Sequence, residues 1–323
     1  MGGYDLLPQE KVVCDMEYIK KRSLWLDLKI IFKTTRLVAT HEGGEIMPYS
    51  VLMAVYRKEK PEFLKIAIQS MLDQTVPTDD FVLVCDGPLT QELDAVIDRF
   101  CTTYPALFHV VRLEKNMGLG LALNAGIQEC KNEYVARMDS DDISLPDRIE
   151  KQLKVFELDA SLSVVGAQIA EFQNDPAVIE GYRVVPTAHN KILKRVKTRS
   201  PMNHVTVLMK RSDVLAVGNY EGLVGYEDYH LWIKMLSAGK IFANIDDVGC
   251  NVRVDGMYKR RGGMAYFKNY KKLQELLLAE KLITYPRYMM NACVRFGATV
   301  VCPNFLRKIL FKKLMRKRKI NRG

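Results

Sequence analysis

From Tyr49 to Met138 the chain alternates short apolar runs with amphipathic segments, and few architectures accommodate that alternation. Ser50-Val-Leu-Met-Ala-Val-Tyr56, Phe81-Val-Leu-Val-Cys85, Phe108-His-Val-Val-Arg-Leu113 and Tyr134-Val-Ala-Arg-Met138 read as strands. Pro61 to Leu72, Glu92 to Phe100 and Leu119 to Cys130, which lie between them, read as helices. Largely apolar strands, each followed by a helix, have to be covered on both faces. The expected class is therefore α/β, with a Rossmann-like, mostly parallel central sheet between helices. Ligands of such sheets bind beyond the carboxyl ends of the strands. The second half is less regular. It predicts a helix over Arg148 to Leu158, a buried strand over Ser163 to Gly166 and a partly looped stretch over Asn174 to Arg199. A strand over Thr206 to Met209 and helices over Glu227 to Ala238 and Tyr266 to Glu280 follow. Residues 1–47, helical in period over Trp25 to Phe32 and broken at Gly43-Gly44, read as a separate extension. That leaves 48–263 as the main domain and 264–323 as a helical C-terminal region.

Charge is distributed unevenly. The net charge is +10, yet Asn304 to Gly323 alone holds nine Lys/Arg and no acid, so the other residues together carry +1. A nearly neutral body without a recognition motif argues against nucleic acid as a partner. Tyr288 to Pro303 carries one charge, Arg295, and runs into Phe305, Leu306, Ile309, Leu310, Phe311 and Leu314 interleaved with the cations. That pattern suits a helix lying on an anionic membrane surface, although Lys313 interrupts its apolar arc. The seven cysteines include no C-x-x-C pair and no zinc spacing, which points to a reducing compartment. With no signal-peptide pattern and no run of about 20 apolar residues, the expected location is cytoplasmic, peripheral on the inner face of the plasma membrane.

Three acidic positions end predicted strands or open predicted helices. Asp86, in Cys85-Asp-Gly-Pro88, is a ligand or a plain turn residue. Asp139-Ser-Asp141-Asp142 puts three carboxylates within four residues. Such a cluster repels itself unless a hard divalent cation compensates it; the alternative is a solvated turn, with Asp142 or Ser144 capping the next helix. Glu227-Asp228 opens a helix, where an acid also gains from the helix dipole. Asn116-Met-Gly118-Leu-Gly120, a glycine-bearing loop entering a helix, could offer backbone N–H groups to a phosphate, but it matches neither the dinucleotide fingerprint nor the P-loop.

In order, Ser50 to Tyr56, Gln74-Thr75, Val84-Cys-Asp-Gly87, Asn116-x-Gly118-Leu119, Met138-Asp-Ser-Asp-Asp142 with Leu145-Pro-Asp-Arg148, His204-x-Thr206 and Glu227-Asp-Tyr-x-Leu-Trp232 resemble inverting glycosyltransferases of family 2. The resemblance is to the bacterial enzymes of capsule, exopolysaccharide and O-antigen synthesis, and it runs from about Tyr49 to about Arg261. It implies the GT-A fold, a nucleotide-sugar donor and a polyprenyl-diphosphate-linked oligosaccharide acceptor. It also implies that Asp86 and Asn116 meet the nucleotide, that Asp139 contacts the ribose or the metal, and that Asp141 binds Mn²⁺ or Mg²⁺ on the diphosphate. Asp228 becomes the general base and Glu227 its neighbour on the acceptor side. Arg148, His204 and Arg253 become candidates for diphosphate or acceptor contact, with a buried structural imidazole the alternative for His204. Cys85 stands where many members have a second Asp. Residues 1–44, through Cys14 to Ile19 and Ser23 to Ile30, resemble the C-terminal end of polyprenyl-phosphate sugar-phosphate transferases and read as an inert fusion remnant. The competing readings are a sugar nucleotidyltransferase, whose N-terminal Gly-rich signature is missing here, and an inactive nucleotide-sugar-binding or assembly protein of the same fold.

Overall fold

The computed structural model describes residues 47–254 and 263–302. The helix expected around Trp25 to Phe32 and the basic segment from Asn304 lie outside the described residues. Strand Tyr49–Val55 (β1) leads to helix Pro61–Leu72 (α1), whose proline sits in the first turn, where a missing N–H costs nothing. Strand Asp80–Cys85 (β2) leads to helix Gln91–Thr103 (α2), capped by the Thr90 hydroxyl on the Leu93 N–H. Strand Phe108–Arg112 (β3), helix Leu119–Glu129 (α3) and strand Tyr134–Asp139 (β4) follow.

β1 lies between β2 and β4, with β3 beyond β2, and all these neighbours are parallel. The winding therefore reverses at β1, and the carboxyl ends of β1 and β4 flank the switch point, with Ala54 paired to Asp139. The next elements are strand Ile143–Ser144 (β5), helix Arg148–Leu158 (α4), strands Leu162–Phe172 (β6) and Gly181–Arg183 (β7), and helix His189–Arg195 (α5). Strand Leu208–Lys210 (β8), helices Arg211–Ala216 (α6) and Glu227–Ser237 (α7), and strand Ile241–Arg253 (β9) complete the sheet region. β8 runs antiparallel to β4 and β6, and β9 runs parallel to β6. The parallel expectation thus describes the first half, and the second half is mixed.

Both faces are covered. Leu52, Val82, Val84 and Val135 join Leu123, Ile127 and Trp232 in one core, while the alternating Val51, Met53, Phe81 and Leu83 are fully buried as well. Helices Met264–Ala279 (α8) and Tyr285–Phe296 (α9) extend that core through Tyr270, Leu273, Leu277 and Tyr288. Among the described residues no helix is long and apolar enough to cross a membrane.

Three elements depart from the sequence reading. β9 is hidden by Asp246, Asp247 and Gly249 within a strand whose register to β6 shifts at three places. The strand over Ser163 to Gly166 extends to Phe172, where every residue is buried. Thr206 belongs to a 3₁₀ turn, His204–Thr206, because its hydroxyl bonds back to Asn203 O and so shortens β8 at its start.

Gly126 sets how closely α3 packs, since a Cβ there would lie 2.5 Å from Leu52 Cδ1 and 2.5 Å from Val84 Cγ2. Gly126→Val is expected to destabilise the fold by about 1–3 kcal/mol through overpacking. Urea denaturation reads this as a lower midpoint at unchanged slope, and an unchanged midpoint would refute the tight α3–sheet contact.

Candidate active site

The three loops that leave the carboxyl ends of β1, β2 and β4 build one edge of the site. After β2, the chain turns at Gly87, whose positive φ and whose absent Cβ, 2.6 Å from Asn116 N if built, allow the loop of Asn116 to close over it. Asp86 holds that loop. One carboxylate oxygen accepts the Met117 N–H at 2.6 Å, and the other accepts the Gly118 N–H at 3.0 Å and the Asn116 amide at 2.9 Å. Asp86 is 5% exposed, and Asn116 spends its amide on it, so both predicted nucleotide ligands also shape the loop. A carboxylate offers about four lone-pair sites, and three donors leave one for a ligand.

Asp139, Asp141 and Asp142 follow β4, and one carboxylate oxygen from each lies within 4.8 Å of the others. Arg137, buried in β4, forms a two-pronged ion pair with Asp139. Burial disfavours the Arg137 charge, but Asp139 overrides this and its pKa ends above the usual value. Burial, then Asp139, then Glu59 push the Asp141 carboxyl up to about 7. Burial together with Asp141 and Asp139 pushes Asp142 well above the carboxylate range, even though its side chain accepts the Arg253 N–H at 2.8 Å. Glu59, beyond β1, closes the group by accepting the Ser140 hydroxyl at 2.7 Å. Close, partly desolvated carboxylates whose ionised forms are disfavoured make a donor set that fits a hard divalent cation. No capping role competes, since α4 begins without a side-chain cap.

The other edge is α7, which opens with Glu227 and Asp228. Ser200 donates to one Asp228 oxygen at 3.1 Å. Burial raises the pKa of Glu227, with Asp228 adding to the shift and Arg137 opposing it. Burial also raises the Tyr220 hydroxyl, with Arg137 lowering it and Asp228 and Asp139 raising it, so these charges share one neighbourhood. Gly120, near the start of α3, lets the donor loop meet this edge: a Cβ there would lie 2.3 Å from Glu221 O and 2.9 Å from Glu227 Cγ.

Three candidates stand apart from the roles expected of them. Arg148 is fully buried in α4, with Nη2 donating to Arg137 O at 2.9 Å and Nε to Gln152 at 3.2 Å. It braces β4 from within and does not face a ligand, which corrects its assignment as a nucleotide-sugar contact. His204 hydrogen-bonds the Tyr220 hydroxyl at 2.9 Å and meets Trp232 edge-on; burial and then Arg137 hold its pKa well below the usual value, so the ring is neutral. Its placement is that of a structural imidazole, the alternative left open by the sequence. Arg253 lies over Phe63 and Phe172, 3.6 and 4.7 Å from the ring centroids, and its Nε donates to Asp141 O at 3.4 Å. Its contacts are with the acid cluster.

The match to known proteins follows this geometry. Residues 50–214 match the model of "Glycosyl transferase family 2". The chain belongs to that family. A relative from Erwinia amylovora, the amylovoran biosynthesis glycosyltransferase AmsE, is 37% identical over 82% of this chain and 98% of its own length. The UDP-Gal:alpha-D-GlcNAc-diphosphoundecaprenol beta-1,3-galactosyltransferase of Escherichia coli is 36% identical over 83% of this chain and 97% of its own length. Among solved structures, the mannosyltransferase PcManGT from Pyrobaculum calidifontis, in complex with GDP-Man and Mn²⁺, aligns with a TM-score of 0.54 over 88% of this chain and 85% of its own, at 16% identity. The fold is the GT-A fold of this family of glycosyltransferases.

The sequence reading missed Arg137, Glu59, Ser200 and Tyr220, and it counted Asp142 in the cluster without giving it a ligand's role. Arg137 left a signal, a lone cation inside an otherwise apolar strand that calls for a partner. Ser200 left none, since a lone serine just past the looped stretch and 28 residues before Asp228 carries no pattern.

The raised Asp141 carboxyl fixes the sign of a pH effect. Because its pKa lies above the ordinary 3.8, ionisation costs the folded protein nothing at low pH and its full penalty above about 7. A cation that needs the ionised form must displace a proton below that pH. Calorimetric Mn²⁺ titrations are expected to show affinity rising from pH 5.5 towards 7 and levelling above it; equal affinity at pH 5.5 and 8 would remove the cluster as the metal site.

Proposed function

We infer that this family 2 glycosyltransferase is metal-dependent and moves one glycosyl unit, with inversion, from a nucleoside-diphosphate sugar to a polyprenyl-diphosphate-linked saccharide in surface-polysaccharide synthesis. One observation supports the reading: Arg137, paired with Asp139, and Asp228 at the start of α7 both act electrostatically on the buried Tyr220 hydroxyl, so the carboxylate cluster and Asp228 belong to one neighbourhood. On this reading the cluster would serve the leaving group and Asp228 the proton. The relatives support the substrate classes, since one is a glycosyltransferase of amylovoran biosynthesis and another is a galactosyltransferase named for a GlcNAc-diphosphoundecaprenol substrate.

The remaining lone pair of Asp86 and the loop of Asn116 to Gly118 receive the nucleotide. Asp139, Asp141 and Asp142 would hold Mn²⁺ or Mg²⁺, which when bound offsets the negative charge of the departing diphosphate. Ser200 occupies one oxygen of Asp228 and leaves the other to accept the proton of the acceptor hydroxyl. As that proton leaves, the hydroxyl oxygen bonds to the anomeric carbon and the bond from this carbon to the diphosphate oxygen breaks. Glu227, half-buried beside the base, lines the acceptor side. The tail, Asn304 to Gly323, would rest on the anionic inner face of the plasma membrane, where a polyprenyl-linked acceptor is held.

Asp228→Asn is expected to keep donor affinity and lose about 10²–10⁴-fold in transfer. Asp141→Ala is expected to weaken donor binding only when the ion is present. Titration with UDP-, GDP- and dTDP-sugars, each with Mn²⁺ and with chelator, checks both. Donor affinity that is the same with and without the ion would overturn the metal assignment, and full transfer by Asp228→Asn would overturn the base.

A further inference from the structure

Apart from Tyr288, which is buried in the core, α9 turns its larger apolar side chains outward. A surface helix ordinarily turns its apolar stripe inward and its polar residues to water. Here the polar residues face the protein: Asn291 is buried and donates to Gln274 Oε1 at 2.8 Å and to Lys197 O at 2.9 Å. Arg295 donates to the Tyr226 hydroxyl at 3.2 Å and stacks on Tyr270, 4.7 Å from its centroid. The outer side carries Met289 at 44% exposure, Met290 at 47% and Val294 at 68%, with exposed Cys293 among them. Val301, in the π-helical turn Gly297–Val301, continues the stripe at 67% exposure. A continuous apolar strip of this kind marks a surface that something covers.

The surrounding charge identifies the cover. From Lys281 onward the chain has twelve Lys/Arg and no acid. In sequence the strip is therefore accompanied by cations alone, with Arg287 on α9 itself and nine more in Asn304 to Gly323. Apolar side chains backed by cations match a lipid surface, with acyl chains for the strip and anionic headgroups for the cations. We propose that the outer face of α9 is a docking surface for an anionic membrane, with Met289, Met290, Val294 and Val301 entering its interface. The proposal rests on the lipid-linked acceptor inferred above and extends the membrane contact from the basic tail to a folded part of the enzyme. The same helix holds Tyr226, the residue before Glu227 and Asp228, so docking places the base helix in the layer that meets the membrane.

The test uses the full chain and vesicles of phosphatidylcholine with and without phosphatidylglycerol, read by co-sedimentation. Wild type is expected to bind the anionic vesicles and the double variant Met290→Glu/Val294→Glu to bind them about tenfold or more weakly. Both positions face solvent, and unchanged calorimetric binding of the nucleotide-sugar donor shows that the variant is folded. Undiminished vesicle binding by the variant would overturn the proposal and leave the tail as the anchor, and absence of binding by wild type would also overturn it. A concentration-dependent dimer in size-exclusion chromatography that the double variant abolishes would assign the face to a second copy instead. Vesicle binding that depends on α9 in a protein that transfers no sugar would sink the enzymatic reading and leave the docking surface standing.

Discussion

The mutual repulsion of Asp139, Asp141 and Asp142 is the constraint around which the site is arranged. With one oxygen of each within 4.8 Å of the others, full ionisation of all three would cost about a few kcal/mol per pair, a large share of the stability of any domain. The chain relieves part of it by placing Arg137 inside β4, where the two-pronged pair ties Asp139 down and compensates its charge. Arg137 is itself buried and would be expensive without Asp139. Each half of the pair thus makes the other tolerable. Asp141 and Asp142 are less well compensated, and burial first, then their acidic neighbours, push both carboxyls up.

The same economy of partners runs through the donor edge. Asp86 has three donors from a single loop, so its burial is compensated and the loop is rigid. Gly87 and Gly120 then work through what they lack. A side chain on the first would push the loop of Asn116 away from β2, and one on the second would separate α3 from the start of α7. The approach of the Asn116 loop and the start of α3 to the segment Glu221 to Glu227 is consequently close, against the Glu221 carbonyl and the Glu227 side chain. Arg148, spanning α4 to the carbonyl of Arg137, braces the strand that carries the cluster from the opposite side.

The first half of the fold was legible because its strands are apolar throughout and each is followed by a helix; α1 and α4 agree with the sequence reading to the residue. β9 was not, because its exposed stretch carries Asp246 and Asp247, and its pairing to β6 needs register shifts that no local pattern announces. In the site, the acids were legible as residue types at strand ends, whereas their partners were not. Arg148 shows why: a position beside a motif says nothing about which way a side chain points, and this one points into the core. Arg253 was found, but the partner that fixes its place, Phe63, 190 residues earlier and beneath its guanidinium, left no local signal.

The polarity of α9 bears on how the two substrates meet. Asn291 and Arg295 hydrogen-bond Gln274 of α8, the Lys197 carbonyl and Tyr226, the residue before α7, and Tyr288 is buried in the core, so the helix is fastened through its inner side. The outer apolar side chains are only partly covered within the described fold, and the apolar surface they leave in water carries a cost that folding does not recover. They are therefore explained by something outside the fold. The donor loops leave the carboxyl edge of the sheet, while α9 is joined to the helix that bears Asp228. An acceptor held in a lipid layer against α9 would approach from the side of the base, and a water-soluble nucleotide sugar would approach from the side of the acid cluster. Two substrates of opposite solubility would then enter by separate routes and meet where Arg137 and Tyr220 join the two edges.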